Sequence, residues 1–163
     1  MVIISTTFSK LERYKYTNSI VSIGSFDGVH LAHKKIFDKM NALKKQKNNK
    51  NIVITFNPHP KLVLQNKNTQ KKYLLTQLED KIHLIENYGI DILFIISFTK
   101  KTALITADNF LDKIIKCFRP IHFVIGYNHS FGHQRKGNID FIRLHSKKCF
   151  KVHLIKKQII FNK

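Results

Sequence analysis

Cysteine is scarce in this 163-residue chain. The two that occur, Cys117 and Cys149, are far apart and form no Cys-x-x-Cys pair, which excludes a disulfide framework and a zinc ribbon and fits a reducing compartment. Long apolar runs are missing too: no stretch approaches the ~20 residues that a membrane helix needs. The N-terminus, Met1 to Phe8, carries no basic segment ahead of its short apolar run, so it does not read as a signal peptide. A soluble, cytoplasmic protein is expected. Acidic residues are few, 10 against 29 lysines and arginines, for a formal net charge of +19. Such a surface concentrates anions without choosing among them. Lysine runs mixed with asparagine, such as 44–50 and 66–68, read as solvated loops and helix ends. Aromatic residues are not interleaved along a basic stripe as a single-strand binder requires, so nucleic acid is not an expected partner. A Gly-x-Ser-x-Gly elbow, a Cys/His pair at catalytic spacing, internal repeats and a flexible linker are all lacking.

What is present is one domain's worth of chain, able to bury roughly 70% of its unfolded surface, in which strand and helix patterns alternate. Ile20-Val21-Ser22-Ile23 reads as a buried strand, and Leu31, Ile36, Phe37, Met40 and Leu43 recur at helical spacing after it. Ile52 to Phe56 is a second β-branched run, stopped by Asn57-Pro58-His59-Pro60, which neither continues a ladder nor starts a helix at once. Thr76 and Glu79 form a capping box ahead of Leu78, Ile82 and Ile85, and Gly89 closes that helix. Ile90 to Phe98 is nearly continuously apolar, the pattern of a parallel strand covered on both faces. Thr106 caps a helix bearing Phe110, Leu111, Ile114, Ile115 and Phe118, and Pro120 introduces a fourth strand ending near Tyr127. A polar loop over 128–137, a short helix over 139–147 and a last strand or hairpin over 150–161 complete the chain. The expectation is an α/β fold: an open, mostly parallel, doubly wound sheet with helices on both faces.

In such sheets ligands bind beyond the carboxyl ends of the strands, where the strand order reverses. Three unusual loops fall there: Gly24 to His33, Asn57 to Pro60, and Asn128 to Gly137. The first joins a strand to a helix through a Gly-rich turn, aiming amides and the positive helix end at an anion. His30 and His33, three residues apart, share a face there. A triphosphate suits that geometry. His145, Cys149 and His153 recur every four residues, but Phe150 to Leu154 alternates as a strand, which breaks the face a zinc site needs.

At three segments the chain resembles the adenylyltransferase domain of the bacterial bifunctional riboflavin kinase/FMN adenylyltransferase family, a branch of the His-x-Gly-His nucleotidyltransferases. They are Gly24-Ser25-Phe26-Asp27-Gly28-Val29-His30-Leu31-Ala32-His33, Thr55-Phe56-Asn57-Pro58-His59-Pro60, and Gly126 to Gly137. The resemblance runs from about Ser19 to about Ile142. It implies a single nucleotidyltransferase domain over 1–163 that joins FMN to AMP from ATP, with Mg²⁺, giving FAD and pyrophosphate. His30 and His33 would be catalytic, and Gly24, Ser25, Phe26, Asp27 and Gly28 would join them in binding ATP. Asp27 is left open between orienting a neighbour or Mg²⁺ and capping the helix. Phe56, Asn57, Pro58, His59 and Pro60 would form the flavin side, with Asn128, Phe131 and Arg135 on the opposite wall; Phe56 and Phe131 read equally as core residues. Three departures stand out. Ala32 replaces the glycine between the histidines, at ~1–3 kcal/mol if the site cannot relax. Asn128 replaces an aspartate. The Ser-Ser-Thr-x-x-Arg type segment and the riboflavin kinase domain have no counterpart before Lys163. Two alternatives are a relative that transfers AMP or CMP to a different phosphate, and a noncatalytic basic nucleotide-binding remnant.

Overall fold

Strand runs dominated by β-branched and aromatic residues are buried when helices cover both faces of the sheet, and the computed structural model realises that arrangement. It describes residues 1–28, 31–45, 47–64, 76–146 and 149–156, with the Leu31 side chain left aside. Six strands, β1 (Val2–Thr6), β2 (Ser19–Ile23), β3 (Asn51–Asn57), β4 (Ile92–Ser97), β5 (Pro120–Gly126) and β6 (Lys151–Ile155), form one sheet in the order β1-β4-β3-β2-β5-β6. Every pairing is parallel. The strand order reverses between β2 and β5, so the expected switch point lies at the centre of the sheet.

The helices are α1 (Leu31–Leu43), α2 (Pro60–Val63), α3 (Leu78–Glu86), α4 (Lys100–Ala103), α5 (Ala107–Phe118) and α6 (Ile139–His145). Period-2 alternation sends neighbouring strand residues to opposite faces. Ile20, Val53, Leu93 and Val124 pack with Phe37 and Met40 of α1 and Ile85 of α3. Val21, Ile54, Phe94 and Phe123 pack with Leu111, Ile114 and Phe118 of α5 and Ile142 of α6. Thr106 caps α5 as expected, accepting from the Asn109 amide at 3.2 Å. No helix among the described residues is long and apolar enough to cross a membrane.

Several expectations need correction. An edge strand, β1, precedes the first strand read from the sequence; Val2 and Ile3 are 58% and 45% exposed, so burial left no strong pattern. The last element, expected as a strand or hairpin, is a strand parallel to β5 over its described part. The Thr76/Glu79 capping box is not formed: Gln77 occupies the cap of α3 without a side-chain bond. Gly89 adopts the left-handed conformation, φ +71°, two residues past the Asn87 cap. A helix does start directly after Asn57-Pro58, because proline at the first position of α2 sacrifices no needed amide and His59 Nδ1 accepts from the Lys61 amide at 3.0 Å. Cys117 is a free, buried cysteine, and the described residues hold no group of three metal-binding side chains.

Candidate functional site

The three loops singled out above leave the carboxyl ends of β2, β3 and β5, which are adjacent in the sheet. They therefore share one rim. His30 lies outside the described residues, and His33 sits on α1 in a T-shaped contact with Phe26, the ring centroids 5.2 Å apart.

The turn after β2 is less open to an anion than its glycines suggest. Gly24 N–H extends the sheet by donating to the Ile54 carbonyl at 3.0 Å, and Gly28 N–H donates to Thr76 Oγ1 at 3.2 Å. Phe26 adopts φ +45° and turns its ring into the core, 2% exposed and 5.3 Å from Phe37. Its side chain is thus a packing element of the core. Asp27 Oδ1 accepts from the Thr76 amide at 3.3 Å. The Thr76 that reads as a helix cap instead ties this turn to the start of α3.

Beneath the turn lies a residue the sequence motifs did not nominate. Lys81 of α3 is 4% exposed, and its ammonium donates to the Ser25 carbonyl at 2.8 Å. Thr55 Oγ1 donates to the same oxygen at 3.2 Å. Burial lowers the Lys81 pKa below the usual lysine range, against the pull of Asp27. Lys81 falls on the apolar face with Leu78, Ile82 and Ile85, and a cation on that face is the signal that would have found it.

The loop after β3 adjoins the same charge. His59 is 4% exposed; burial holds its imidazole below the ordinary value, with Asp27 opposing and Lys81 and Lys61 assisting. Asn57 and Pro58 are exposed, and Pro60 is partly buried. Phe56 is 9% exposed, with Phe98 at 5.6 Å and Phe110 at 6.3 Å. Phe56 is packed in the core on the side of the sheet that α5 covers.

The loop after β5 is built around Phe131, also a core residue at 6% exposure. It exchanges backbone hydrogen bonds with Gly137, both 2.9 Å, and its ring sits 5.4 Å from Phe110 and 5.6 Å from His129. A Cβ on Gly137 would lie 2.6 Å from that ring. Asn128 and Arg135 are exposed. Arg135, in the left-handed region at φ +58°, donates from Nε to Ser130 Oγ at 2.7 Å. His129 Nε2 is sealed from solvent without a partner among the described residues, and burial, helped by Arg135, lowers the His129 pKa to about 4. Phe110 of α5 thus carries the residue beneath one loop, Phe56, and the centre of another, Phe131.

The FAD synthetase family model matches residues 13–163. The chain belongs to that family. Its relatives include the bifunctional riboflavin kinase/FMN adenylyltransferase of Listeria monocytogenes serovar 1/2a, 33% identical over 141 residues, with 86% of this chain and 45% of that protein covered. The bifunctional protein of the same description from Buchnera aphidicola subsp. Schizaphis graminum is 38% identical over 128 residues, covering 78% and 40%. A Listeria FAD synthetase is 30% identical over 125 residues, covering 77% and 50%. The chain spans half or less of the length of these relatives. In fold it matches a crystal structure described as a macrolide-efflux protein from Streptococcus pneumoniae, with a TM-score of 0.82 at 20% identity over 99% of this chain and 52% of that one. At that identity the likeness is one of fold alone. The family match carries the same three loops that meet at the sheet rim.

Proposed function

We propose that this member of the FAD synthetase family is an FMN adenylyltransferase, transferring AMP from ATP to FMN. The carrying observation is the meeting of the Gly24–His33, Asn57–Pro60 and Asn128–Gly137 loops at the reversal of strand order, in a chain of this family. A phosphate monoester has its second pKa near ~6, so the FMN phosphate is already a nucleophile at neutral pH. Its oxygen attacks the α-phosphorus of ATP. The bond from that phosphorus to the bridging oxygen of the β-phosphate breaks, and pyrophosphate leaves with the electron pair. No proton has to be abstracted, which leaves positioning and charge neutralisation as the protein's task.

His30 and His33 donate hydrogen bonds to the ATP phosphates at the start of α1. Because the Gly24 and Gly28 amides are engaged, these imidazoles and the helix end bear most of that duty. Lys81 supplies a buried positive charge between the nucleotide turn and the loop of His59, close to where the two phosphates would meet. Asn57, Pro58 and Pro60 face the flavin, with Asn128 and Arg135 across from them; Phe56, His59 and Phe131 hold those loops from below. Asp27 is the carboxylate of this turn that would help hold a Mg²⁺ brought with the triphosphate, and the ion would supply neutralisation of phosphate charge.

The test is direct. The chain is incubated with FMN, ATP and Mg²⁺, and FAD and pyrophosphate are followed by chromatography; formation of both, abolished in His30→Ala, is expected. Quenching of flavin fluorescence on FMN binding separates this reading from a relative acting on another phosphate. Absence of both quenching and FAD refutes it.

A further inference from the structure

The opposite rim of the sheet carries a second feature that the proposed reaction does not use. Lys15, Lys47, Lys50, Lys116 and Arg119 line a cleft of about 680 Å³ together with Tyr16, Thr17 and Asn48. These residues precede β2, β3 and β5, so the cleft caps the amino ends of the same three strands whose carboxyl ends carry the candidate active site. Strands of five to seven residues separate the two rims by about 20 Å.

Three observations make this more than a solvated lysine surface. The lining contains no carboxylate. None of its five cations forms an ion pair with a described carboxylate, whereas Lys34, Lys44 and Lys113 are paired with Asp38, Asp91 and Glu12. Arg119 also ends α5 in the left-handed conformation, φ +37°, which glycine adopts at lower cost.

The cleft is not a single point of charge. A second hollow of about 260 Å³ adjoins it, lined by Asn18, Leu43, Lys45, Asn49, Ile121 and His122; Asn18 follows Thr17, and Asn49 lies between Asn48 and Lys50. Beyond it, His122 and His153 are bonded ring to ring at 3.1 Å, in the field of Lys39 and Lys151. Lys45, Lys39 and Lys151 therefore extend the positive rim beyond the cleft as a trough, past the two histidines, which burial holds uncharged at neutral pH. A lone phosphate would need converging donors; a trough suits a chain of phosphates at successive positions. The Tyr16 ring is turned inward against Phe94 and Phe118, at 6.2 and 6.1 Å, so no aromatic platform reads bases here. The sequence conceals the feature because its lysines come from four separate segments, and a site that grips only the backbone needs no interleaved aromatics.

We propose that this trough binds a chain of linked phosphates, the backbone of a single-stranded nucleic acid or inorganic polyphosphate, independently of base sequence and of the reaction at the other rim. The test uses the full chain with a fluorescein-labelled oligothymidine 20-mer, titrated from 50 to 300 mM salt. A trough variant, Lys47→Gln/Lys116→Gln/Arg119→Gln, is compared with a control of equal net charge, Lys10→Gln/Lys100→Gln/Lys101→Gln, both confirmed as folded by circular dichroism. Each lost phosphate contact lowers the slope of log K against log salt by about 0.7. The trough variant is thus expected to lose about 2 in slope and more than tenfold in affinity at 100 mM salt, with the control changing less than threefold. Unlabelled polyphosphate and unlabelled oligomer are then used as competitors, and the stronger per phosphate identifies the source of the ligand; free phosphate at the same concentration should displace neither. Equal losses in the two variants, or displacement by free phosphate, would overturn the proposal. Oligonucleotide that blocks FMN binding would also overturn it, since the ligand would then be occupying the opposite rim.

Discussion

Acidification should destabilise this protein through one imidazole whose contribution can be isolated. His129 has its Nε2 sealed beside Phe131 without a partner among the described residues, and its pKa is lowered to about 4 from the ordinary 6.5. A cationic group with a depressed folded pKa costs the native state nothing above pH 6.5, where both states are neutral. As the pH falls from 6.5 towards 4, the unfolded chain takes up the proton and the folded chain does not, so stability declines. The gap corresponds to about 3 kcal/mol lost by pH 4, or a fall of roughly 6–12 °C in Tm for a domain of this size. His129→Phe keeps a ring in place, removes the orphaned nitrogen and cannot protonate. The assay is urea unfolding of both proteins at pH 7, 6, 5 and 4. His59, His122 and His153, also below their usual range, are common to both proteins and cancel in the difference. The variant is expected to be as stable as wild type or more so at pH 7, and ahead of it by about 3 kcal/mol more at pH 4. Parallel curves through this window would show that the imidazole is not sealed in the folded protein.

Two further perturbations address the site. Lys81→Met removes the buried cation while nearly preserving its shape, and Thr55 still serves the Ser25 carbonyl. Stability at pH 7 should stay within about 1 kcal/mol of wild type while FAD formation falls about 100-fold, mostly in kcat, as steady-state kinetics will register. Wild-type stability should rise as the pH climbs from the lowered Lys81 value towards 10.5, because the unfolded chain then binds the extra proton; the variant should lack that rise in alkaline urea titrations. Gly137→Ala sets a Cβ 2.6 Å from the Phe131 ring, and the overpacking should cost about 1–3 kcal/mol in thermal unfolding. FMN binding is expected to weaken more than ATP binding.

The central strands were legible because Ile20–Ile23, Ile52–Phe56 and Ile90–Phe98 are mostly apolar and largely buried on both faces, with Ser22 and Thr55 as buried polar exceptions. Thr106 was legible as a cap because it acts on its own helix, three residues away. Thr76 has the same local appearance, yet its hydroxyl goes to Gly28, 48 residues distant, and no local pattern reveals such a choice. Phe56 and Phe131 sit within loop motifs, and only the three-dimensional position of α5 decides that their rings face inward. Lys81 escaped because a lysine in a lysine-rich sequence draws no attention; its place on an apolar helix face was the distinguishing mark. The edge strand β1 and the trough share one cause, since both arise from residues that are individually ordinary and gain meaning from their neighbours in space.

Phe110 has a bearing on how this scaffold can diverge. Its ring abuts Phe8 at 5.2 Å, Phe56 at 6.3 Å and Phe131 at 5.4 Å, so two stretches assigned to the flavin rest on one shared support. Grafting either stretch from a homologue with a different acceptor would unseat the other unless the matching residue of α5 travelled with it. Acceptor preference in this scaffold is therefore inherited as a three-part cassette, and libraries that vary one part alone should yield mostly unfolded or inactive clones.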